Sequence, residues 1–383
     1  MNRIPVNPTM LIWARERSGL DMHVLFARFP KLADWEAGAI LPTLRQLEQY
    51  AHAVHVPIGY LFLPVPPNES LPIADYRTQS DRDTMRPSPD LLETVYLCQQ
   101  RQDWFREYAR QHGLPNPGFV GSIQPHGDVF SVAAAIRSAL DLTIEDRAAL
   151  PTWTDALRQM MVRAEELGVL VMASSIVGSN SHRKLSVAEF RGFALADSSA
   201  PLVFINAADS KAAQMFTLAH ELVHVWVGES GVFDVTAGRV PRLHTERWCN
   251  AVAAEILAPV AAVNAEYRSH EQVTVELQRL ARMFKVSTLV VLRRLHDAGR
   301  IDEQTLWTLH EVEVTRFRAV QSGESGGGDF YRTLGMRTGK RFARAMLSST
   351  LEGHTLFQDA FRMLGVRSPR TIYQAARELG VMP

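Results

Sequence analysis

The sequence predicts an α+β protein: a mostly helical, multi-domain chain with a small antiparallel sheet set beside one apolar helix. Three observations predict it. Apolar residues recur at helical spacing over most of the 383 residues. Short apolar runs, rich in β-branched and aromatic residues, are confined to positions 169–206. After them, Phe216-Thr-Leu-Ala-His-Glu-Leu-Val-His-Val-Trp226 reads as a buried helix carrying His220-Glu221-Leu222-Val223-His224.

The length has room for two or three domains. Composition and punctuation place them at 1–63 (helical module), 64–127 (linker and packing helix), 128–300 (the domain with the sheet) and 301–383 (helical cap). With 46% hydrophobic and 21% charged residues, this is ordinary globular material. The formal net charge is zero, so no global field holds the chain on nucleic acid or an anionic membrane. Cys98 and Cys249 are the only cysteines, which gives no disulfide framework and fits a reducing cytoplasm. The N-terminus lacks the apolar core of a signal peptide, and no apolar run is long enough to span a bilayer.

Residues 8–63 read as short helices. One starts at Pro8, a second covers Asp21–Phe29, a third runs Leu32–Ala37 to Gly38, and a fourth covers Pro42–Val54. Trp35-Glu36-Ala37-Gly38 and Pro42-Thr-Leu44 resemble the helix-turn-helix of XRE-type repressors. The stretch Ala27–Trp35 is compressed by about five residues against the usual two-helix layout. The missing turn is the part that would touch base edges. Lys31, Ala33 and Asp34 remain there, so the segment is either a DNA-binding domain or a degenerate module used for dimerisation or docking.

Leu63–Pro72 is a proline-rich linker, and Tyr76–Pro89 reads as polar loop. Leu91–Gly113 is a packing helix with Trp104, Phe105 and Tyr108, followed by a connector to Gly127. Phe130–Leu140 and Trp153–Leu167 are helices. Val169–Ser175, Val187–Leu195 and Pro201–Asn206 are strands, with Gly178–Ser181 as a loop. A small sheet beside a metal helix offers an edge to which a peptide substrate can add. The polar stretch Gly228–Pro241 is expected to line the cleft. Val273–Gly299 has full helix, turn, helix spacing, with Arg282, Lys285, Arg293 and Arg294. It either meets DNA or completes the preceding domain with a solvated basic face. Gln321–Gly328 is a linker, and Arg337–Gly380 a helical cap. No Lys-Ser/Thr pair follows the glycines, so they are not a phosphate loop.

Residues four apart share a helix face, so His220 and His224 can hold one zinc ion while Glu221 reaches an attacking water as general base. A hydrolytic site needs a third protein ligand. Glu246 and Asn250, four apart on the helix before Pro259, resemble the E-x-x-x-D of thermolysin-like zincins. There the glutamate binds zinc and the acid orients a metal histidine. Asn250 can accept an imidazole N–H but brings no charge. Glu255 and Cys249 are rivals to Glu246. Glu255 lies nine residues on, about half a turn round the helix, and reads better as a helix-end carboxylate. A lone buried cysteine is usually an apolar filler. His244, Arg242 and Tyr267 are candidates for donating to an oxyanion.

Gly192-Phe-Ala-Leu195, Pro201–Asn206, Phe216-Thr-Leu-Ala-His-Glu221, Glu246 and Asn250–Pro259 together resemble the ImmA/IrrE family of metallo-endopeptidases. The resemblance extends from about Leu157 to Leu295, and Cys249 departs from the alanine usual there. It implies a gluzincin-like core, zinc bound by two histidines and a glutamate, and cleavage of a regulatory protein. That partner would be a repressor or toxin-type protein, cut in a stress or mobile-element response. The rival reading is a DNA- or protein-binding regulator or antitoxin with the zinc fold as scaffold. A purely structural zinc domain is disfavoured, because such a site rarely keeps a general-base glutamate.

Overall fold

The computed structural model describes residues 3–76, 86–232, 244–320 and 330–382, the side chains of 317–320 and 330–332 excepted. The chain divides into two compact units: Met1–Pro72 with Arg82–Val95, and Ile73–Asp81 with Tyr96–Pro383. The expected linker Gln321–Gly328, Arg242, and most of both Tyr76–Pro89 and Gly228–Pro241 lie outside the described residues.

In the first unit, α1 (Pro8–Ser18) begins behind an Asn7 cap whose side chain accepts from the Thr9 N–H. α2 (Met22–Arg28) and α3 (Leu32–Glu36) follow, and α4 (Leu44–Ala53) opens on a Thr43/Gln46 capping box. Met10, Leu11, Leu25, Leu32, Trp35, Leu47 and Tyr50 form a core of their own. Within it the Tyr50 hydroxyl donates to the Leu11 carbonyl at 2.7 Å. α3, overlapping the stretch that the sequence reads as compressed, has five residues.

α5 (Pro89–Gln111) begins in the first unit and continues into the second. α6 (Val129–Ala139), α7 (Ile144–Ala149) and α8 (Trp153–Glu166) each start on an aspartate or threonine cap and lead into the sheet. β1 (Ala74–Asp75), β2 (Leu170–Ser174), β5 (Gly192–Leu195), β6 (Leu202–Asn206) and β7 (Gly231–Val232) join in the order β1-β7-β5-β6-β2. β3 (Ile176–Val177) and β4 (Asn180–Lys184) form a separate hairpin.

The fold class is α+β, as expected, but the sheet is mixed instead of antiparallel. β5 runs antiparallel to β6 and β7, whereas β2 with β6 and β1 with β7 are parallel. The segment between β2 and β5 explains this. It leaves the sheet to make the β3–β4 hairpin, so β5 starts only at Gly192 and turns directly into β6. β2 then lands on the far edge of β6, pointing the same way. β2 and β6 are buried along their whole length, which is why they read as unbroken apolar runs.

α9 (Lys211–Val227) packs on β5 and β6 beside α8, and α10 (His244–Leu257) packs on α9 and α6. α11 (Val260–Glu266), α12 (Val273–Phe284), α13 (Thr288–Asp297) and α14 (Glu303–Val320) follow. The turn between α12 and α13 is made at Lys285, with φ 53°. Leu277, Leu280, Phe284, Leu292 and Leu295 belong to the same core as Leu218, Leu222 and Val223 of α9. The helix-turn-helix-spaced stretch therefore completes this unit. α15 (Phe330–Thr338) and α16 (Lys340–Leu351) pack against β2, and α16 also packs with α17 (Phe357–Leu364) and α18 (Pro369–Glu378). No single described helix is long and apolar enough to cross a membrane. α10 and α11 together pass by composition, but they are bent by 45°.

Candidate metal centre

α9 is capped by Ser210, whose side chain accepts from the Ala213 N–H, and is buried almost continuously from Gln214 to Trp226. Its C-terminal carbonyls are met by an adjacent loop: Gly121 and Ile123 N–H donate to Val225 and Trp226 O at 3.2 and 3.1 Å. Phe119 stacks on Trp226 with ring centroids 4.1 Å apart. This anchoring holds the helix as a rigid platform. α10 is fixed in turn by Trp248, whose Nε1 donates to Gly127 O at 2.8 Å.

The two helices bring His220, His224 and Glu246 together, all buried. The two Nε2 atoms are 3.0 Å apart. Glu246 Oε2 is 3.3 Å from His220 Nε2, and Oε1 is 3.4 Å from His224 Nε2. Four-coordinate zinc with bonds near 2.1 Å sets its ligand atoms about 3.4 Å apart. The donor set and its spacing therefore fit a divalent metal ion. Burial pushes His220 below its ordinary range. Burial works to raise the Glu246 carboxyl, but the two imidazoles overcome it and hold that carboxyl at about 2. Burial works to lower His224, but Cys249, Glu229 and Glu246 beside it overcome this and lift it well above its ordinary range, so only His220 and Glu246 stand in the protonation state that metal binding needs.

Glu221, the next residue on the helix, lies near enough to the cluster to feel the charges of His224 and Glu246. Its side chain is 0% exposed, and neither carboxylate oxygen has a hydrogen-bond partner. Burial lifts its carboxyl well above the usual range. A buried carboxyl without partners is costly unless a ligand meets it. Opposite Glu221 stands Gly192 of β5: a Cβ there would lie 3.2 Å from Glu221 Oε1 and 2.5 Å from Thr217 Cγ2. The strand crosses the helix too closely for any side chain.

The other candidates are placed as follows. Asn250 lies beside His220 and acts on it through its side chain, although its Oδ1 makes no hydrogen bond of ordinary geometry. Cys249 Sγ is 4.0 Å from His224 Nδ1, the ring nitrogen that faces away from Glu246. Glu255 is elsewhere: its carboxylate accepts from Val260 N–H at 3.1 Å and pairs with Arg294 at 3.2 Å. His244 is exposed, with Nδ1 2.9 Å from His126 Nδ1. Tyr267 lies under Arg300, 6.0 Å from guanidinium to ring. Neither is placed at the cluster by these contacts. Sequence reasoning did not single out Glu229, whose Oε2 is 3.7 Å from His224 Nδ1. The signal available was Gly228-Glu229 directly after the helix.

The four basic residues of the α12–α13 stretch do not form one exposed patch. Arg294 is buried between Glu255 and Asp297, at 3.2 and 3.0 Å. Lys285 is buried against Trp153 and donates to Arg282 O at 2.8 Å. Arg293 is exposed but paired with Asp297 at 3.2 Å. Arg282 lines a groove with Arg279, Arg316, Thr274 and Gln278. The inward turn has a plain cause: α13 packs on both sides, against α11 and α14, which leaves little of it facing water.

Nor is the β5 edge beside α9 open to an added strand. β7 pairs with it there, and β1 pairs with β7.

Residues 338–378 match a family model described as a domain of unknown function (DUF8813). No curated protein matches the chain significantly. Residues 164–296 match the family model described as IrrE N-terminal-like domain (Peptidase_M78), a span that contains β2 to β7 and the whole His220–His224–Glu246 cluster. That stretch is therefore similar to a metallopeptidase-type domain, in keeping with the ImmA/IrrE resemblance.

Proposed function

We propose that the chain is a zinc-dependent endopeptidase that cuts one regulatory protein. The observation that carries this reading is the convergence of His220, His224 and Glu246 beside a buried, partnerless Glu221. His220 and His224 would hold the metal through Nε2 and Glu246 through its carboxylate. A bound Zn²⁺ would polarise a scissile carbonyl and acidify water. Glu221 takes a proton from the attacking water onto its carboxylate and delivers it to the leaving amine. Asn250 steadies His220 without adding charge. β5, closed against α9 at Gly192, excludes solvent from one side of Glu221.

The substrate class, a repressor or toxin-type partner, follows from the ImmA/IrrE resemblance. The two buried free cysteines fit a reducing, cytoplasmic setting. The helical segments before residue 128 and after 300 serve, in this reading, to select the partner.

The test uses the full chain. Glu221→Gln should retain zinc and capture the partner without cutting it. Wild-type protein with zinc should then cleave that partner at one site, found by mass spectrometry, and lose the activity on chelation. Cleavage by Glu221→Gln at the wild-type rate would refute the mechanism. A captured partner that the zinc-loaded wild type leaves intact would favour the scaffold reading.

A further inference from the structure

We infer that Glu229 is a positioning residue, its carboxylate held against His224 from the side opposite the metal pocket. The inference rests on the metal-site reading above and assigns how one of its histidines is oriented.

The geometry comes from the way α9 ends. Gly228 takes the left-handed conformation, φ 85°, and its N–H donates to His224 O at 2.9 Å. The next amide, Glu229 N–H, donates to the same carbonyl at 3.0 Å. Two consecutive amides on one carbonyl double the chain back over the last turn. Only glycine suits this turn, since φ is left-handed and a Cβ at 228 would be 3.0 Å from the Gly121 Cα. The Glu229 side chain therefore returns to the histidine one turn earlier. Its Oε2 stands 3.7 Å from Nδ1, while Nε2 of the same ring faces Glu246 at 3.4 Å.

The two ring nitrogens thus meet two carboxylates. A metal histidine whose outer N–H faces a carboxylate is fixed in the tautomer that leaves the other nitrogen free, and becomes a stronger ligand. Cys249 Sγ also approaches Nδ1, at 4.0 Å, but a thiol is a weak acceptor. Asn250, at the position where an orienting acid was sought, serves His220 and is uncharged. The negative charge that an acid at position 250 would bring, and Asn250 does not, is supplied instead from the end of the metal helix, to the other histidine. At 3.7 Å the contact exceeds a direct hydrogen bond, so it acts through charge.

The experiment compares full-length wild type, Glu229→Gln, Glu229→Asp and His224→Ala. Zn²⁺ affinity is measured by competition with a chromogenic chelator, and melting temperatures are measured without metal. Glu229→Gln should bind zinc about 10- to 100-fold more weakly. Glu229→Asp should recover most of that loss, and the metal-free melting temperatures of both should match wild type. The Co²⁺-substituted Glu229→Gln protein should show a shifted visible band. Wild-type zinc affinity in Glu229→Gln, with binding lost in His224→Ala, would overturn the inference and leave the metal site standing. So would a Glu229→Gln protein whose metal-free form melts early, which marks a purely structural role. A wild type that binds no zinc would remove both the inference and the reading beneath it.

Discussion

Gly192→Ala tests the closeness of β5 to the metal helix. The added methyl would lie 2.5 Å from Thr217 Cγ2, 2.8 Å from Phe204 O and 3.2 Å from Glu221 Oε1. Carbon atoms rest about 3.5–4.0 Å apart, so the Thr217 methyl must retreat by about 1 Å. The Phe204 carbonyl is harder to move, because Phe204 is paired with Phe193 in the β5–β6 ladder. Overpacking of this kind costs about 1–3 kcal/mol, and the backbone contact places Gly192→Ala toward the upper end. Urea unfolding gives the measurement, read as a fall in midpoint at unchanged slope. Gly118→Ala is the control: it has open space around the new methyl and should stay within about 0.5 kcal/mol of wild type. If Gly192→Ala unfolds at the wild-type midpoint, the argument that β5 and α9 touch there is wrong.

Two further outcomes follow from the same packing. Arg294→Ala strands Glu255 in the interior and should cost about 3–5 kcal/mol, whereas exposed Arg282→Ala should cost under about 0.5 kcal/mol; urea midpoints of the two variants decide it. Burial pushes the Glu165 carboxyl up to about 7 from its ordinary 4.5, although it accepts from Arg341 N–H at 3.0 Å. The folded state then binds this proton more tightly than the unfolded one. Its contribution is whole below pH 4.5 and is lost as pH rises through about 7, by up to about 3 kcal/mol. Glu165→Gln should flatten stability between pH 5 and 8, and a wild-type pH profile in that variant would contradict the assignment.

Much of the site was legible in the sequence because it is local. His220 and His224 share a face by helical period alone, as do Glu246 and Asn250. The apolar flanks of α9 announce its burial, and Pro259 announces the end of α10. β2, β5 and β6 were legible as apolar runs, but their directions were not, and β1, β3, β4 and β7 were not read as strands. A run of β-branched residues is the same in a parallel as in an antiparallel pair, and the β3–β4 detour that settles the matter has only Ile176-Val177 as an apolar signal, β4 being polar.

What the sequence by itself determined, then, was the set of groups on each helix: two imidazoles and a carboxylate on α9, a carboxylate and an amide on α10. The tertiary structure alone decided which of these atoms meet. It set Glu246 against both Nε2 atoms, turned Arg294 and Lys285 inward, left Glu255 to a salt bridge and folded Glu229 back onto His224. The physical reason is range. Periodicity and capping are properties of neighbouring residues, whereas the direction of a side chain toward another element depends on how two surfaces pack across a gap the sequence does not encode locally.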